Sequence, residues 1–353
     1  MNGKKWLKVW FLTITACIFI LMSINYIIDP SNIFNSNFLK KYGQLNERYL
    51  KIKYLNSNYK KYDSYMFGSS RIGTTEPSAI EKYIPNSKFY NFTLSMATIH
   101  DYLVYLKHFS KHYQVKNIYV QIDIENILHH TTGGFHRKDH PDVSKENILD
   151  FYRVHLLGIY PVGWRKKIKN NFFINSEQSY SLTNGVWYRQ TREAQISSDC
   201  SEYIKRESTF HKINKRVNGA GKNYEKTIQA LKELKNISNV NNINLIVLTT
   251  PHNHNMMDSY KLDAYLKFLY DISQITDFYD FSGYNTITTN DCNYYEESHY
   301  RPFIGKIIAA RIFNDKSIEI PNDFGVFVTK DNINEHLKYK KLEVFNHDNK
   351  KFN

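Results

Sequence analysis

The chain has 353 residues, enough for a sizeable core in one or two domains. Its 47 Lys and Arg outnumber 34 Asp and Glu, and the net charge of +13 favours an anionic partner: a membrane surface, an acidic polymer or nucleic acid. Behind a basic head (residues 1–8) lies VWFLTITACIFILMSINYII, residues 9–28, with no charge in 20 positions. That length spans a bilayer as a helix, with Trp6 and Trp10 at one interface and Tyr26 at the other. The basic head marks the cytoplasmic side, so the body after Asp29 is expected outside the cytoplasm, away from nucleic acid.

A buried core helix and a cleaved leader are the alternatives. Residues 14–17, ITAC, have the look of a lipobox with Cys17 as the lipidated residue. Only about six apolar residues precede it, whereas a signal sequence needs roughly 7–15. The apolar run also continues well past Cys17. The reading is an uncleaved single-pass anchor in the inner (cytoplasmic) membrane, with the lipid bilayer as first partner and a periplasmic main domain. Beyond the membrane only Cys200 and Cys292 remain. An oxidising compartment allows them to pair, and the sequence leaves that pairing open.

The next elements follow in chain order. Residues 29–60 form a polar stem, helical around QLNERYLKIKYL. A strand at 64–68 precedes a helix from about Pro77, with proline in its first turn. KFYNFTL (88–94) reads as a strand, and Ile99, Leu103, Leu106 and Phe109 then recur at helical spacing. NIYVQIDI (117–124) is another strand. After residues 125–221, Tyr224, Ile228 and Leu231 mark a helix face, followed by a strand at 243–251. A helix over 257–275, a short strand at 277–281 and a helix at 301–313 complete the pattern. Nearly continuous apolar strands alternating with helices predict an α/β domain, residues 61–315, with a parallel sheet covered on both faces. The 125–221 segment is too long for an ordinary connection and reads as a functional insertion or small subdomain. Residues 316–353 read as a tail packed on the surface.

Strand tips in such a sheet converge on the edge where open α/β folds bind ligands. Gly68-Ser69-Ser70-Arg71 falls at that edge. A nucleophilic hydroxyl needs a base, and the base an orienting carboxylate. Far downstream, NYYEESHYRPFIG places Glu296 three residues before His299, just ahead of the last helix. The plain alternative is a solvated helix entry, with Ser70 only a helix cap.

Together these two motifs resemble the GDSL-type, or SGNH, hydrolase superfamily. Its nucleophile follows the first strand in a Gly-Asp-Ser motif, and an Asp-x-x-His motif precedes the last helix. The resemblance covers about residues 60–125 and 222–315. It implies a flavodoxin-like three-layer α/β/α domain, Ser70 as nucleophile, His299 as base and Glu296 in place of Asp, with Ser69 in place of the first Asp. No cofactor and no metal are expected. A GSSR opening behind one anchor is similar, more specifically, to SGNH-like proteins of cell-envelope polymer acylation, such as D-alanyl transfer proteins and alginate O-acetyltransferase-like proteins. That implies esterase or O-acyltransferase chemistry on a cell-surface carbohydrate polymer, with acyl groups delivered by a multispanning membrane protein. The rival reading is a catalytically inactive carbohydrate-binding or assembly protein of envelope polymer biosynthesis.

Two positions depart from the family pattern. Oxyanion donors are expected from the Ser70 backbone and from a glycine after the second strand, where this chain has Ser95. Asp123 stands where an asparagine donor is expected. A carboxylate there repels an oxyanion, and losing one donor costs about 2.7–4 kcal/mol. Asp123 is therefore expected protonated, turned away, or a sign of lost catalysis. Arg71 can hold an anionic group bidentately or brace its own loop. Asp280 is an alternative triad carboxylate, though it reads better as a turn residue. His129, His130, His136 and His140 match no zinc spacing.

Overall fold

The uncharged run becomes part of one 26-residue helix, Gly3–Ile28, about 39 Å long at 1.5 Å per residue and so longer than a ~30 Å hydrocarbon core. Its apolar side chains point outward: Phe11 is 67% and Phe19 70% exposed. Cys17 lies mid-helix as a free, exposed thiol. The computed structural model describes residues 3–34, 36, 46–128, 138–173 and 179–352. It divides into two units, residues 1–56 with 133–176 and residues 57–132 with 177–353. The 125–221 insertion is thus shared between them.

In the first unit one residue near the end of the long helix, Asn25, is buried, while Ile24, Tyr26 and Ile27 beside it stay exposed. Asn25 donates through Nδ2 to the carbonyls of Leu156 and Gly158 at 2.7 and 2.8 Å. Its Oδ1 accepts from the Trp164 indole at 2.8 Å. These bonds satisfy the only fully buried side chain of that helix and tie it to the helices Ile148–Leu157 and Pro161–Phe173. The expected stem helix is present as Glu47–Asn58, and its Tyr49 stacks on Phe151 at 5.0 Å and on His140 at 4.9 Å.

In the second unit five strands run parallel, as their apolar sequences predict: β1 (Ser64–Phe67), β2 (Phe89–Asn91), β3 (Asn117–Ile122), β4 (Asn244–Thr249) and β5 (Phe278–Asp280). Their order is β2-β1-β3-β4-β5, one of the two common doubly wound orders. Both faces are covered. Met66 shares a buried cluster with Ile304 and Ile308 of the helix Pro302–Ile312. Its neighbours Tyr65 and Phe67 pack on Phe109 of the helix Ile99–His112, at 4.6 and 5.6 Å. That alternation is the period of two of a strand buried on both sides.

Three expectations change. The segment after 315 is part of the sheet: β6 (Val326–Val328) pairs antiparallel with β5. The helix Ile333–Phe352 then brings His336 to 2.7 Å and Lys340 to 3.6 Å from the buried Asp280 carboxylate. β6 has only three residues, two of them exposed, so it carries no strand-like apolar pattern. The helix expected over 257–275 is split into His254–Met257 and Leu262–Ser273, because Tyr260 pairs with Asn218 in an isolated bridge. The strand expected to reach residue 94 stops at Asn91, whose Oδ1 accepts from both the N–H and the hydroxyl of Thr93.

Candidate active site

β1 ends in a turn that only glycine permits. A Cβ at Gly68 would stand 2.3 Å from Ile72 Cγ2. Ser69 caps the short 3₁₀ helix Ser70–Thr74, its Oγ accepting from the Arg71 N–H at 3.4 Å and from Arg71 Nη1 at 3.3 Å. Asn91 on β2 braces the far end, donating to the carbonyls of Ile72 and Thr75 at 3.1 and 2.9 Å. Ser70, the first helical residue, therefore projects from a turn held at both ends. Its N–H lies in the first turn, where no intrahelical acceptor exists.

His299 arrives on a hairpin formed by Tyr294–Glu296 and His299–Tyr300, immediately before the helix Pro302–Ile312. That helix comes close to the serine turn because Gly305 has no side chain: a Cβ there would lie 2.6 Å from Thr75 Oγ1. Ser70 Oγ stands 2.8 Å from His299 Nε2. On the other side of the ring, Nδ1 is hydrogen-bonded to Glu296 Oε1. Glu296 Oε2 accepts from Arg189 at 3.2 Å and from Arg192 at 2.9 Å.

The electrostatics fix the tautomer. Burial pushes the Glu296 carboxyl up, but His299, Arg189 and Arg192 together bring it down to about 2. An ionised carboxylate only accepts, so the ring proton sits on Nδ1 and Nε2 is the acceptor for the Ser70 hydroxyl. Burial lowers His299 below its usual value; Glu296 opposes this, and the Arg189 and Arg71 charges reinforce it. A neutral imidazole facing a hydroxyl, with its far side on a carboxylate, can accept the proton of an attacking serine.

Asp123, at the tip of β3, is buried and turned toward other partners. Its Oδ2 lies 3.0 Å from Arg71 Nη1, and its Oδ1 accepts from the Thr250 hydroxyl. Arg71 Nη2 pairs with Glu125. Burial alone would lower the Arg71 guanidinium, yet Glu125 and Asp123 raise it, and Glu125 is in turn held down to about 2 against its own burial. With both ends of its fork on carboxylates, Arg71 braces its own loop, one of the two roles open to it in the sequence. Ser95 opens the turn after β2, brought beside the serine turn by the bond from Leu94 N–H to the Gly68 carbonyl at 3.1 Å.

Other candidates lie elsewhere. Asp280 bonds Thr249, Ser282 and His336, not His299, so it is no member of this triad. His140 caps the short helix Pro141–Ser144 and stacks on Tyr49, while His129, His130 and His136 fall outside the described residues. Among the described residues, His254, Asp258 and His347 bring ligand atoms within 4.8 Å of one another. Asp258 there accepts from the Tyr284 hydroxyl at 2.7 Å and faces Arg216 at 3.8 Å, which makes the group a charge network.

Sequence reasoning missed Asn91, Arg189 and Arg192. The two arginines, at the start of the helix Gln190–Ser198, lie about a hundred positions from the carboxylate they hold. Their only trace in the sequence is an Arg-x-x-Arg spacing within the insertion. Cys200 and Cys292 form a disulfide that fastens this arginine-bearing segment to the turn just before the Glu296–His299 hairpin. Compared with known proteins, the chain matches no family model and no curated protein.

Proposed function

We propose that this protein is a membrane-anchored serine esterase or O-acyltransferase of SGNH type, working outside the cytoplasm on a cell-surface polysaccharide or related envelope polymer. The observation that carries the reading is the line Ser70–His299–Glu296, two hydrogen bonds assembled from motifs 229 positions apart. The strand order and the place of Ser70 agree with it: β1 and β3 flank the point where the strand order reverses, the edge at which doubly wound sheets bind ligands.

In this mechanism Ser70 Oγ bonds to the acyl carbonyl carbon as its proton passes to His299 Nε2. Glu296 stabilises the imidazolium on Nδ1. The backbone N–H groups of Ser70 and Ser95 meet the oxyanion. Collapse breaks the bond to the donor's alcohol oxygen, which leaves with the proton from Nε2. Water or a sugar hydroxyl then attacks the Ser70 ester by the same route and regenerates the serine.

The buried Asn25 favours an uncleaved anchor, since removing the helix would strip the carbonyls of Leu156 and Gly158 of their donor. The Cys200–Cys292 disulfide favours an oxidising compartment and hence a cytoplasmic N-terminus. The polymer acceptor, the inner membrane and a multispanning acyl donor protein rest on the resemblance of the motifs.

The rival reading, an inactive carbohydrate-binding or assembly protein, drew its support from Asp123. That carboxylate is engaged by Arg71 and Thr250, and an inactive cleft has no need of a base 2.8 Å from Ser70. Turnover of p-nitrophenyl acetate by the purified full chain, lost in Ser70→Ala, tests the proposal. Equal rates in the two proteins would leave the binding reading.

A further inference from the structure

The last turn of the long N-terminal helix is also a packing surface. Asn25 stands three residues before the helix end at Ile28, about 4.5 Å along the axis. Its carboxamide holds the carbonyls of Leu156 and Gly158 and the indole of Trp164. The connection between the helices Ile148–Leu157 and Pro161–Phe173 therefore sits at the level of that turn. Gly163 lies so near that a Cβ on it would be 3.3 Å from Pro30 Cβ.

Around this contact the surface is apolar and uncovered: Leu157 is 39%, Ile159 72% and Val162 79% exposed. The next turns of the second helix present Arg165, Lys166 and Lys169, all exposed, while Lys167 between them is buried on Asn32. Exposed aliphatic side chains continuous with a cationic stripe are the composition of a segment lying in a bilayer interface.

We infer that residues 157–169 form an interfacial membrane contact. Leu157, Ile159 and Val162 seat at the headgroup–acyl boundary, and Arg165, Lys166 and Lys169 meet anionic headgroups. The inference rests on the reading of Gly3–Ile28 as a membrane span. That same helix selects lipid as the occupant. Whatever packs against its last turn lies at the depth where a span of this length leaves the hydrocarbon. Basic side chains at that depth are attracted to anionic lipid within a Debye length of the surface. The contact would set the unit down on the leaflet instead of leaving it to swing from one helix.

The test uses the full chain with Cys17→Ala, which leaves only the disulfide-bonded cysteines. An environment-sensitive fluorophore is placed at Ile14→Cys, Ile159→Cys or Val162→Cys. Each protein is reconstituted in phosphatidylcholine vesicles with or without phosphatidylglycerol, carrying quencher lipids of shallow or deep position. Deep quenching is expected at residue 14. Shallow quenching of about twofold or more is expected at residues 159 and 162. The triple change Arg165→Gln, Lys166→Gln, Lys169→Gln should weaken the shallow quenching only where phosphatidylglycerol is present. Quenching at residue 14 without quenching at 159 or 162 overturns the inference and leaves the span intact. No quenching at residue 14 overturns the span, and the inference with it. A triple variant indistinguishable from its parent overturns the role given to the anionic headgroups.

Discussion

Ser70 Oγ and His299 Nε2 face each other across 2.8 Å, although 229 positions separate them in the chain. Neither residue is held there by its partner alone. Gly68, Ser69 and Asn91 fix the serine turn, and the hairpin with its arginine-held Glu296 fixes the imidazole. The two arms can be perturbed separately.

The adjacent serines should separate cleanly. Removing a triad nucleophile can cost on the order of 10⁶ in turnover. Ser70→Ala should therefore abolish hydrolysis while the melting temperature stays near wild type. Among the described residues Ser69 Oγ accepts from Arg71 alone, so Ser69→Ala should cost about 0.5–1.5 kcal/mol of stability and retain measurable turnover. Thermal denaturation and steady-state rates on both variants check this. The opposite ranking would move the nucleophile by one residue.

Arg189 acts on the base through charge. As a cation near the ring it disfavours the imidazolium and helps lower His299 below its usual 6.5. His299 must be neutral to accept the serine proton, so the acidic limb of the pH–rate profile should lie below 6.5 in the wild type. In Arg189→Gln that limb should shift upward, with less change on the alkaline plateau. A limb that stays in place would deny Arg189 this role.

Arg71 is buried between Asp123 and Glu125, so Arg71→Met removes the cation they share and leaves Asp123 only the Thr250 hydroxyl and Glu125 only His252 at 3.5 Å. Breaking a buried pair in this way costs about 3–5 kcal/mol, which chemical denaturation would register. In the wild type, Glu125 falls from 4.5 to about 2 on folding. Its contribution is therefore fully present above pH 4.5 and is lost as the pH falls toward 2. Melting temperatures across that window should decline in the wild type and decline less steeply in Glu125→Gln, since Glu296 still titrates there.

The disulfide joins the segment bearing Arg189 and Arg192 to the turn before the triad hairpin. Cys200→Ser with Cys292→Ser should lower stability by about 2–5 kcal/mol, the usual effect of losing a native disulfide. It should also lower turnover at temperatures where the variant is still folded by circular dichroism. Full activity in a folded variant would show that the arginines hold Glu296 unaided.

Much of this arrangement was legible in the sequence because it is local. Apolar runs at 64–68, 117–124 and 243–251 fix the central strands, and Glu296 with His299 lies within one short segment. What escaped depends on distant partners. Asp123 looks like an obstacle to catalysis until Arg71 and Thr250 are seen to engage it. Arg189 and Arg192 are ordinary surface charges until the fold carries them to Glu296. β6 has no periodicity of its own and is a strand only because β5 offers it an edge.

The central claim, that Ser70 is an activated nucleophile, is tested most directly by covalent capture. The purified full chain is treated with a fluorescent fluorophosphonate beside Ser70→Ala, Ser69→Ala and His299→Ala, and the modified peptide is mapped by mass spectrometry. Labelling is predicted in the wild type and in Ser69→Ala, on the peptide containing Ser70. It should be absent from Ser70→Ala and strongly slowed in His299→Ala. An unlabelled wild-type chain, or one labelled equally after Ser70→Ala, would contradict the account.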